Sequence, residues 1–215
     1  MNLRLYSYWR SSSAYRVRIA LHHKKLPFDY VAVDLLKSEQ RSIEHKARSP
    51  LGYVPCLEVD GHSYVESVAI IELLEELFPE APLLPKTATA RAHVRALVEL
   101  VNSGTQPVQN LVVLQRFPEA ERAPWAKYFI ERGLAAYEAL LSSLSSQGLR
   151  PGPFSYGDGV TTADAFLIPQ LYNAARFDVS LEPFPLISRV QAATLELEAF
   201  QKARPEAQPD APKTA

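Results

Sequence analysis

Cysteine is almost absent from this 215-residue sequence, since Cys56 is its only one. A single thiol excludes a disulfide framework, a CxxC redox pair and a cysteine-rich zinc site. The five histidines have no metal-ligand spacing, so we expect no bound metal. Cys56 directly follows Pro55 in an apolar segment, which predicts a buried core thiol.

An excess of charge of one sign is also missing, as are long apolar runs. The chain has 23 basic and 24 acidic residues and a net charge of −1. This balance provides no general field for nucleic acid or an anionic membrane. The apolar runs are far shorter than the ~20 residues of a membrane span, and the first residues lack the order of a signal peptide. We therefore expect a soluble, cytoplasmic protein.

The hydrophobic patterning favours two domains. In the first 80 residues, the predicted order is β-α-β-α-β-β-α, which matches a thioredoxin-like topology. Asp60-Gly61 is the turn signal of the predicted hairpin. The predicted strands are residues 3–9, 28–33, 54–59 and 62–65, and the predicted helices are residues 14–21, 36–47 and 68–78.

The segment 80–86 has two prolines and is predicted to be a linker. After it, all predicted elements are helices, at residues 89–114 with an interruption at Pro107, 124–144, from 161 onward, and 186–200. We thus predict a thioredoxin-like α/β domain over 1–80 and an all-α domain over 88–215.

Three local features can be predicted from short patterns. Thr161 and Asp164 form a capping-box pattern that explains Asp164 as a structural residue. The tail from Arg204 has three prolines and little apolar content, so we expect it to be mobile or loosely docked. An X-Pro bond is cis in only about 5–6% of cases, yet the thioredoxin-like topology favours cis for Val54-Pro55.

The most informative motif follows the first predicted strand. Residues 8–21 read YWRSSSAYRVRIAL. This segment resembles the Ser-Ser-Cys-x-x-Arg-Val-Arg-Ile-Ala-Leu signature of zeta-class glutathione transferases, the maleylacetoacetate isomerases. Further similar segments lie at residues 49–55, 66–72, 106–111, 157–164, 175–179 and 208–210. The resemblance covers residues 3–210, and it implies the glutathione transferase fold, bound glutathione and a homodimer.

The serines of this motif have two interpretations. Ser11, Ser12 and Ser13 are typical N-cap residues at the start of a helix. A hydroxyl at that place can also donate to a thiolate, which the helix dipole stabilises and which is the nucleophilic form of a thiol. Because the resemblance falls on these residues, we predict Ser11 as the main thiolate donor and Ser12 as the second. Ser13 replaces the family's cysteine, which bears on substrate preference more than on the glutathione site.

The resemblance implies the remaining glutathione contacts. The Val54 backbone, next to cis-Pro55, would pair with the cysteinyl backbone of glutathione as an added strand does. Glu66 and Ser67 match the pair that binds the γ-glutamyl amine and carboxylate. The other matching residues are Gln106, Asn110 and the nearby Gln109 of the second domain, and Gln40, whose alignment needs a gap.

The substrate that the resemblance implies is a small dicarboxylate. Arginine suits the bidentate binding of carboxylates. Arg10 lies immediately before the serines, and Arg176 matches an arginine that the family places near the substrate. Of Arg16 and Arg18, we expect one to form a structural ion pair. We expect His22 and His23, near a helix C-terminus, to be solvated or to complement the helix dipole.

The resemblance implies a glutathione-dependent cis–trans isomerase that converts maleylacetoacetate to fumarylacetoacetate in tyrosine and phenylalanine breakdown. In that chemistry the thiolate adds reversibly to the cis double bond, and arginines hold the carboxylates. Three alternatives stay open: a maleylpyruvate isomerase, a general glutathione transferase acting on α-halo acids, and a non-catalytic binding protein of the same fold.

Overall fold

The computed structural model describes residues 1–150 and 152–213. The chain forms two compact units. The first is Met1–Pro82 joined by the segment that begins at Leu197, and the second is Leu83–Glu196. The division between Pro82 and Leu83 falls within the segment 80–86. The predicted second domain of 88–215 differs from it, because the segment from Leu197 packs with the first unit. Residues 214 and 215 of the predicted tail lie outside the described residues.

The first unit is built on a mixed four-stranded sheet in the order β2-β1-β3-β4. Strand β1 pairs parallel with β2 and antiparallel with β3, and β3 pairs antiparallel with β4. The predicted order of elements is confirmed. Their bounds are β1 Leu3–Ser7, α1 Ser12–His23, β2 Asp29–Ala32, α2 Ile43–Arg48, β3 Cys56–Val59, β4 His62–Val65 and α3 Ser67–Leu77.

Local sequence explains the hairpin and the start of α1. Asp60 and Gly61 have φ angles of 48° and 87°, as the two central residues of a type I′ turn require. Ser11 is the N-cap of α1, and its hydroxyl accepts from the Ala14 amide at 3.2 Å. The predicted apolar face of this helix is buried, and Arg16 and Arg18 are buried as well.

The segment that returns to the first unit contains a short helix, α9, at Glu198–Ala203. The predicted helix over 186–200 is therefore two helices, of which α9 packs on α1. The side-chain amide of Gln208 donates to the backbone carbonyls of Lys202 and Arg204 at 2.8 and 2.9 Å. The Asp210 carboxylate accepts from the Trp9 amide and from the Tyr30 hydroxyl. These contacts show that the prediction of a mobile or loosely docked tail is wrong for the described residues.

All regular elements in the described residues of the second unit are helices. The predicted interruption at Pro107 is confirmed as a 3-10 turn at Pro107–Gln109. The helix predicted from Pro124 begins a turn earlier, at Glu119, where acidic residues complement the helix dipole. The bounds are α4 Ala88–Asn102, α5 Leu111–Leu114, α6 Glu119–Ser146, α7 Thr162–Arg176 and α8 Pro185–Leu195.

Helix α7 is the centre of this unit, because almost every residue from Thr162 to Ala174 is buried. It begins with the predicted capping box, in which the Asp164 carboxylate accepts from the Thr161 amide at 2.7 Å. The same carboxylate accepts from the Ser155 amide at 2.8 Å. Asp164 is thus a structural residue, and burial raises the pKa of its carboxyl above the usual range.

Candidate active site

The candidate residues of the first unit meet at one edge of its sheet. In the ladder between β1 and β3, Tyr6 pairs with Cys56, and Cys56 pairs in turn with Val65 of β4. The segment after β1, the segment before β3 and the segment after β4 therefore leave the sheet at the same edge. These segments carry the serines, the Val54-Pro55 pair and the Glu66-Ser67 pair.

The N-terminus of α1 presents the predicted serines. Ser11 uses an oxygen lone pair to accept from the Ala14 amide, which leaves its hydroxyl proton available for donation. Ser12 and Ser13 are the first two residues of the helix, and their amides have no intrahelical partner at that position. The positive end of the helix dipole and these donors together favour an anion at this place.

Arg10 lies directly before the N-cap. Its guanidinium carbon lies 5.4 Å from the centre of the Trp9 ring, and the residue is half-buried. A guanidinium that stacks on an indole face is held in place while its edge stays available for hydrogen bonds. A guanidinium restrained in this way is suited to bind a carboxylate.

Val54 and Pro55 are joined by a cis peptide bond, as predicted from the topology. Both residues are buried, in a cluster that contains Tyr6, Tyr8 and Cys56. The Val54 amide and carbonyl form no hydrogen bond to any part of the chain in 1–150 or 152–213. A buried residue with an unpaired backbone is a suitable partner for an added extended segment.

Glu66 and Ser67 begin α3. Glu66 has a φ of 68° and a ψ of 120°, a region that costs a non-glycine residue about 1–3 kcal/mol. Ser67 is buried, and its hydroxyl accepts from the Arg16 guanidinium at 3.1 Å. Arg16 thus connects α1 to the first turn of α3, and its positive charge adds to an anion site at the Ser67 amide.

Gln40 lies in the 3-10 turn at Glu39–Arg41, where a helix over 36–47 was predicted. The helical part of that segment is shorter, since α2 begins only at Ile43. The Gln40 carbonyl comes close to Gly52, whose φ of 67° suits glycine and where an added Cβ would lie 2.7 Å from that oxygen. The Gln40 side-chain Oε1 is buried and accepts no hydrogen bond from the described residues.

The second unit contains three candidate residues. Gln106 and Asn110 flank the 3-10 turn at Pro107–Gln109, and Arg176 is the last residue of α7. Gln106 is half-buried before Pro107, and Asn110 caps α5 by accepting from the Val112 amide at 3.2 Å. Arg176 is exposed in the last turn of α7 and donates to the Asn173 side chain at 3.3 Å. Gln109, which the resemblance also matched to the site, is buried and donates to the Gln170 side chain at 2.6 Å.

The remaining polar residues near α1 are structural. Arg18 donates to the carbonyls of Tyr8, Trp9 and Ala203 and to the Ser7 hydroxyl, at distances from 2.9 to 3.3 Å. His22 and His23 are half-buried, and burial lowers the pKa of both imidazoles. Cys56 is fully buried as predicted, and burial raises the pKa of its thiol.

No helix in the described part of the chain is long and apolar enough to cross a membrane.

Comparison with known proteins gives a consistent result. Residues 5–82 match the family described as Glutathione S-transferase, N-terminal domain. A protein of Drosophila melanogaster named probable maleylacetoacetate isomerase 2 is 44% identical over 210 residues, which are 97% of this chain and 90% of that protein.

Two solved structures are similar over nearly the whole chain. The maleylacetoacetate isomerase of Anaeromyxobacter dehalogenans, solved with glutathione in its active site, is 51% identical with a TM-score of 0.86, and the match covers 98% of each chain. The same enzyme has been solved with dicarboxyethyl glutathione and citrate. A bacterial zeta-class maleylpyruvate isomerase is 42% identical with a TM-score of 0.92, over 97% of this chain and 100% of that one.

Proposed function

Because the chain belongs to the zeta class of the glutathione transferases, we propose that it is a glutathione-dependent cis–trans isomerase that converts maleylacetoacetate to fumarylacetoacetate. The observation that carries the proposal is Ser11 at the N-terminus of α1, with a free hydroxyl proton beside the unpaired amides of the first turn. The named activity of the Anaeromyxobacter dehalogenans enzyme, 51% identical to this chain, supports the choice of substrate.

The residues present fit glutathione. Its cysteinyl backbone needs an extended partner, and the Val54 backbone is free to pair. Its γ-glutamyl carboxylate needs amide and hydroxyl donors next to positive charge, which Ser67 and Arg16 provide. Its γ-glutamyl amine needs a carboxylate, and Glu66 is exposed at that place. The buried Oε1 of Gln40 needs a donor, which an amide of the peptide would supply.

When bound, glutathione supplies the sulfur nucleophile whose reversible addition allows a conjugated cis double bond to rotate. The chain's own contribution is to keep that thiol ionised. Ser11 would donate its hydroxyl proton to the sulfur, and Ser12 would be the second donor. Donors and a helix N-terminus lower the pKa of a thiol from ~8.5 into or below the neutral range.

The substrate carboxylates require cations. We propose that Arg10 binds one of them next to Ser11, since its stacking on Trp9 restricts the guanidinium. Arg176 is proposed as the second, and Gln106 and Asn110 as glutathione ligands, from the resemblance to the family. Ser13 remains a proposed member of the glutathione site, where its hydroxyl replaces the family's thiol.

The test is the disappearance of the cis-diene absorbance when the protein, glutathione and maleylacetoacetate are mixed. Ser11→Ala should lower kcat/KM by about tenfold to a hundredfold, because a hydrogen bond to a charged group is worth about 1.5–3 kcal/mol. The variant also loses an N-cap, which costs about 0.5–2 kcal/mol of stability. Thr87→Ala is the matched control, since Thr87 caps α4 through the same kind of bond at 3.3 Å.

Thr87→Ala should keep its kcat/KM although it loses a comparable cap. A Ser11→Ala variant with the wild-type rate would refute the role of Ser11 and transfer it to Ser12. A wild-type protein that binds glutathione but leaves the diene unchanged would instead support a non-catalytic binding protein.

The main competing substrate is maleylpyruvate, because the maleylpyruvate isomerase in the comparison has a TM-score of 0.92. Measuring kcat/KM for maleylacetoacetate, maleylpyruvate and dichloroacetate under the same conditions ranks the three activities. A higher kcat/KM for maleylpyruvate would overturn the choice of substrate and keep the reaction type. Glutathione consumption with dichloroacetate alone would indicate a general transferase.

We further propose that the chain forms homodimers and is cytoplasmic. Exposed apolar side chains on the first unit support the first point: Ile43, Leu51, Tyr53 and Tyr64 are all exposed, and α2 adjoins β4. Such a surface is typical of an interface between subunits. Light scattering of the purified protein tests whether its mass in solution is twice the 24.0 kDa of one chain. A free thiol and the use of a reduced cofactor suit the cytoplasm, which cell fractionation tests.

A further inference from the structure

The four residues before α1 form a turn whose backbone is held from several sides. The Ser11 amide donates to the Tyr8 carbonyl at 2.9 Å, which closes the turn. Arg18 donates to the Tyr8 carbonyl at 3.3 Å and to the Trp9 carbonyl at 2.9 Å. The position of the Ser11 hydroxyl therefore depends on where this turn, residues 8–11, is held.

The backbone amide of Trp9 is bound by Asp210, a residue 201 positions away in the sequence. The amide donates to Oδ2 of Asp210 at 2.9 Å. The other oxygen, Oδ1, accepts from the Tyr30 hydroxyl at 2.6 Å. Both carboxylate oxygens are used, so the Asp210 side chain is fixed between the β2 strand and the turn. Burial and the bond to Asp210 raise the pKa of the Tyr30 hydroxyl, which therefore stays a donor.

The tail that carries Asp210 is anchored by other residues. The Gln208 side chain is buried and donates to the carbonyls of Lys202 and Arg204. Arg18 donates to the Ala203 carbonyl at 2.9 Å. Because these bonds hold the tail without Asp210, the bond from Asp210 to Trp9 acts on the turn rather than on the docking of the tail.

We infer that Asp210 is a positioning residue for the isomerase reaction, which holds the turn 8–11 so that the Ser11 hydroxyl meets the glutathione sulfur. The inference rests on the proposed function of Ser11. A donor must lie within about 0.5 Å of its productive place, and a misplacement of 1 Å can cost a hundredfold in rate. Without the carboxylate, the Trp9 amide loses its acceptor, while Arg18 still binds the carbonyls of Tyr8 and Trp9.

Three variants test this role. Asp210→Ala removes both bonds. Asp210→Asn keeps the shape, since its Oδ1 still accepts from Trp9 while its amide donates to the Tyr30 oxygen. Lys202→Met is the control, because it removes an exposed ion pair with Glu198 from the same segment and leaves the bonds of Gln208 and Asp210 in place. Each variant is measured by hydrogen exchange of the backbone amides of residues 8–11 and by kcat at saturating glutathione and substrate.

Asp210→Ala should increase exchange in residues 8–11 by about tenfold and lower kcat by about tenfold or more, with KM for glutathione changed less than about threefold. Asp210→Asn should keep kcat within about threefold of wild type, and Lys202→Met should leave the exchange of residues 8–11 unchanged.

The inference is overturned if Asp210→Ala leaves both exchange and kcat as in wild type. It is also overturned if Asp210→Asn loses as much kcat as Asp210→Ala, since the charge and not the geometry would then matter. Failure of the proposed function is distinguishable, because the wild-type protein itself would then show no isomerisation while the exchange difference at residues 8–11 still appears. An exchange difference with unchanged kcat would refute the link to catalysis.

Discussion

Replacing Lys24 with methionine should be one of the most destabilising single changes in the first unit. The Lys24 ammonium lies 2.6 Å from the Glu75 carboxylate, and the two side chains are only 0% and 8% exposed. The ammonium also donates to the Phe78 carbonyl at 2.8 Å, so it connects the C-terminal ends of α1 and α3. Lys24→Met removes the ammonium that pairs with this buried carboxylate.

Breaking a buried ion pair by removing one partner costs about 3–5 kcal/mol. For a chain of this length that free energy corresponds to a fall in Tm of about 6–20 °C. The double variant Lys24→Met/Glu75→Leu removes both buried charges, and such replacements are close to neutral. It should therefore recover most of the loss and remain about 1 kcal/mol below wild type, for the lost bond to Phe78.

The matched control is the pair Lys202–Glu198, which has nearly the same distance, 2.7 Å, but side chains that are 58% and 75% exposed. Lys202→Met should cost at most about 0.5 kcal/mol. Urea unfolding is followed by circular dichroism and by tryptophan fluorescence, because a two-unit chain need not unfold in one step. A cost below about 1 kcal/mol for Lys24→Met, or equal costs for the two lysines, would refute the argument from burial.

Two further predictions concern buried acids and thiols. Burial raises the pKa of Asp164 above its unfolded value, so the folded state prefers the protonated acid. The free energy of unfolding of wild type should therefore exceed that of Asp164→Asn most at low pH. This difference should shrink as the pH rises from about 4 through the folded pKa. Urea midpoints measured across that range check the sign, and an advantage that grows with pH would contradict it. Cys56 is fully buried, and burial raises the pKa of its thiol. Ellman's reagent should therefore detect one thiol per chain only after unfolding. Rapid reaction of the native protein would contradict this and show that the strand opens.

Features that depend on neighbours in the sequence were predicted correctly. The Asp60-Gly61 turn follows from the ease with which these two residues adopt positive φ. The capping box of Thr161 and Asp164 follows from a spacing of three residues at a helix start. The motif at residues 8–21 indicated the family, and the comparisons confirm that family.

Features that depend on distant contacts were not predictable in the same way. A proline-containing tail of low apolar content is typical of a loose terminus, and nothing near Asp210 in the sequence indicates its bonds to Trp9 and Tyr30. The burial of Arg16 and Arg18 was likewise hidden, because an arginine beside an apolar stripe is normally at the surface. Both become clear only when α1, α3 and α9 pack together.

The serine-arginine motif was therefore enough to indicate the family, which the comparisons confirm, and to predict Ser11 as the thiolate donor. Such a motif lies within a short stretch of the chain, so it can be read from the sequence alone. Only the tertiary structure decided which groups hold that serine in place. Hydrogen bonds between residues up to 201 positions apart depend on how the chain folds back on itself, and their energies are realised only after the backbone has been brought together.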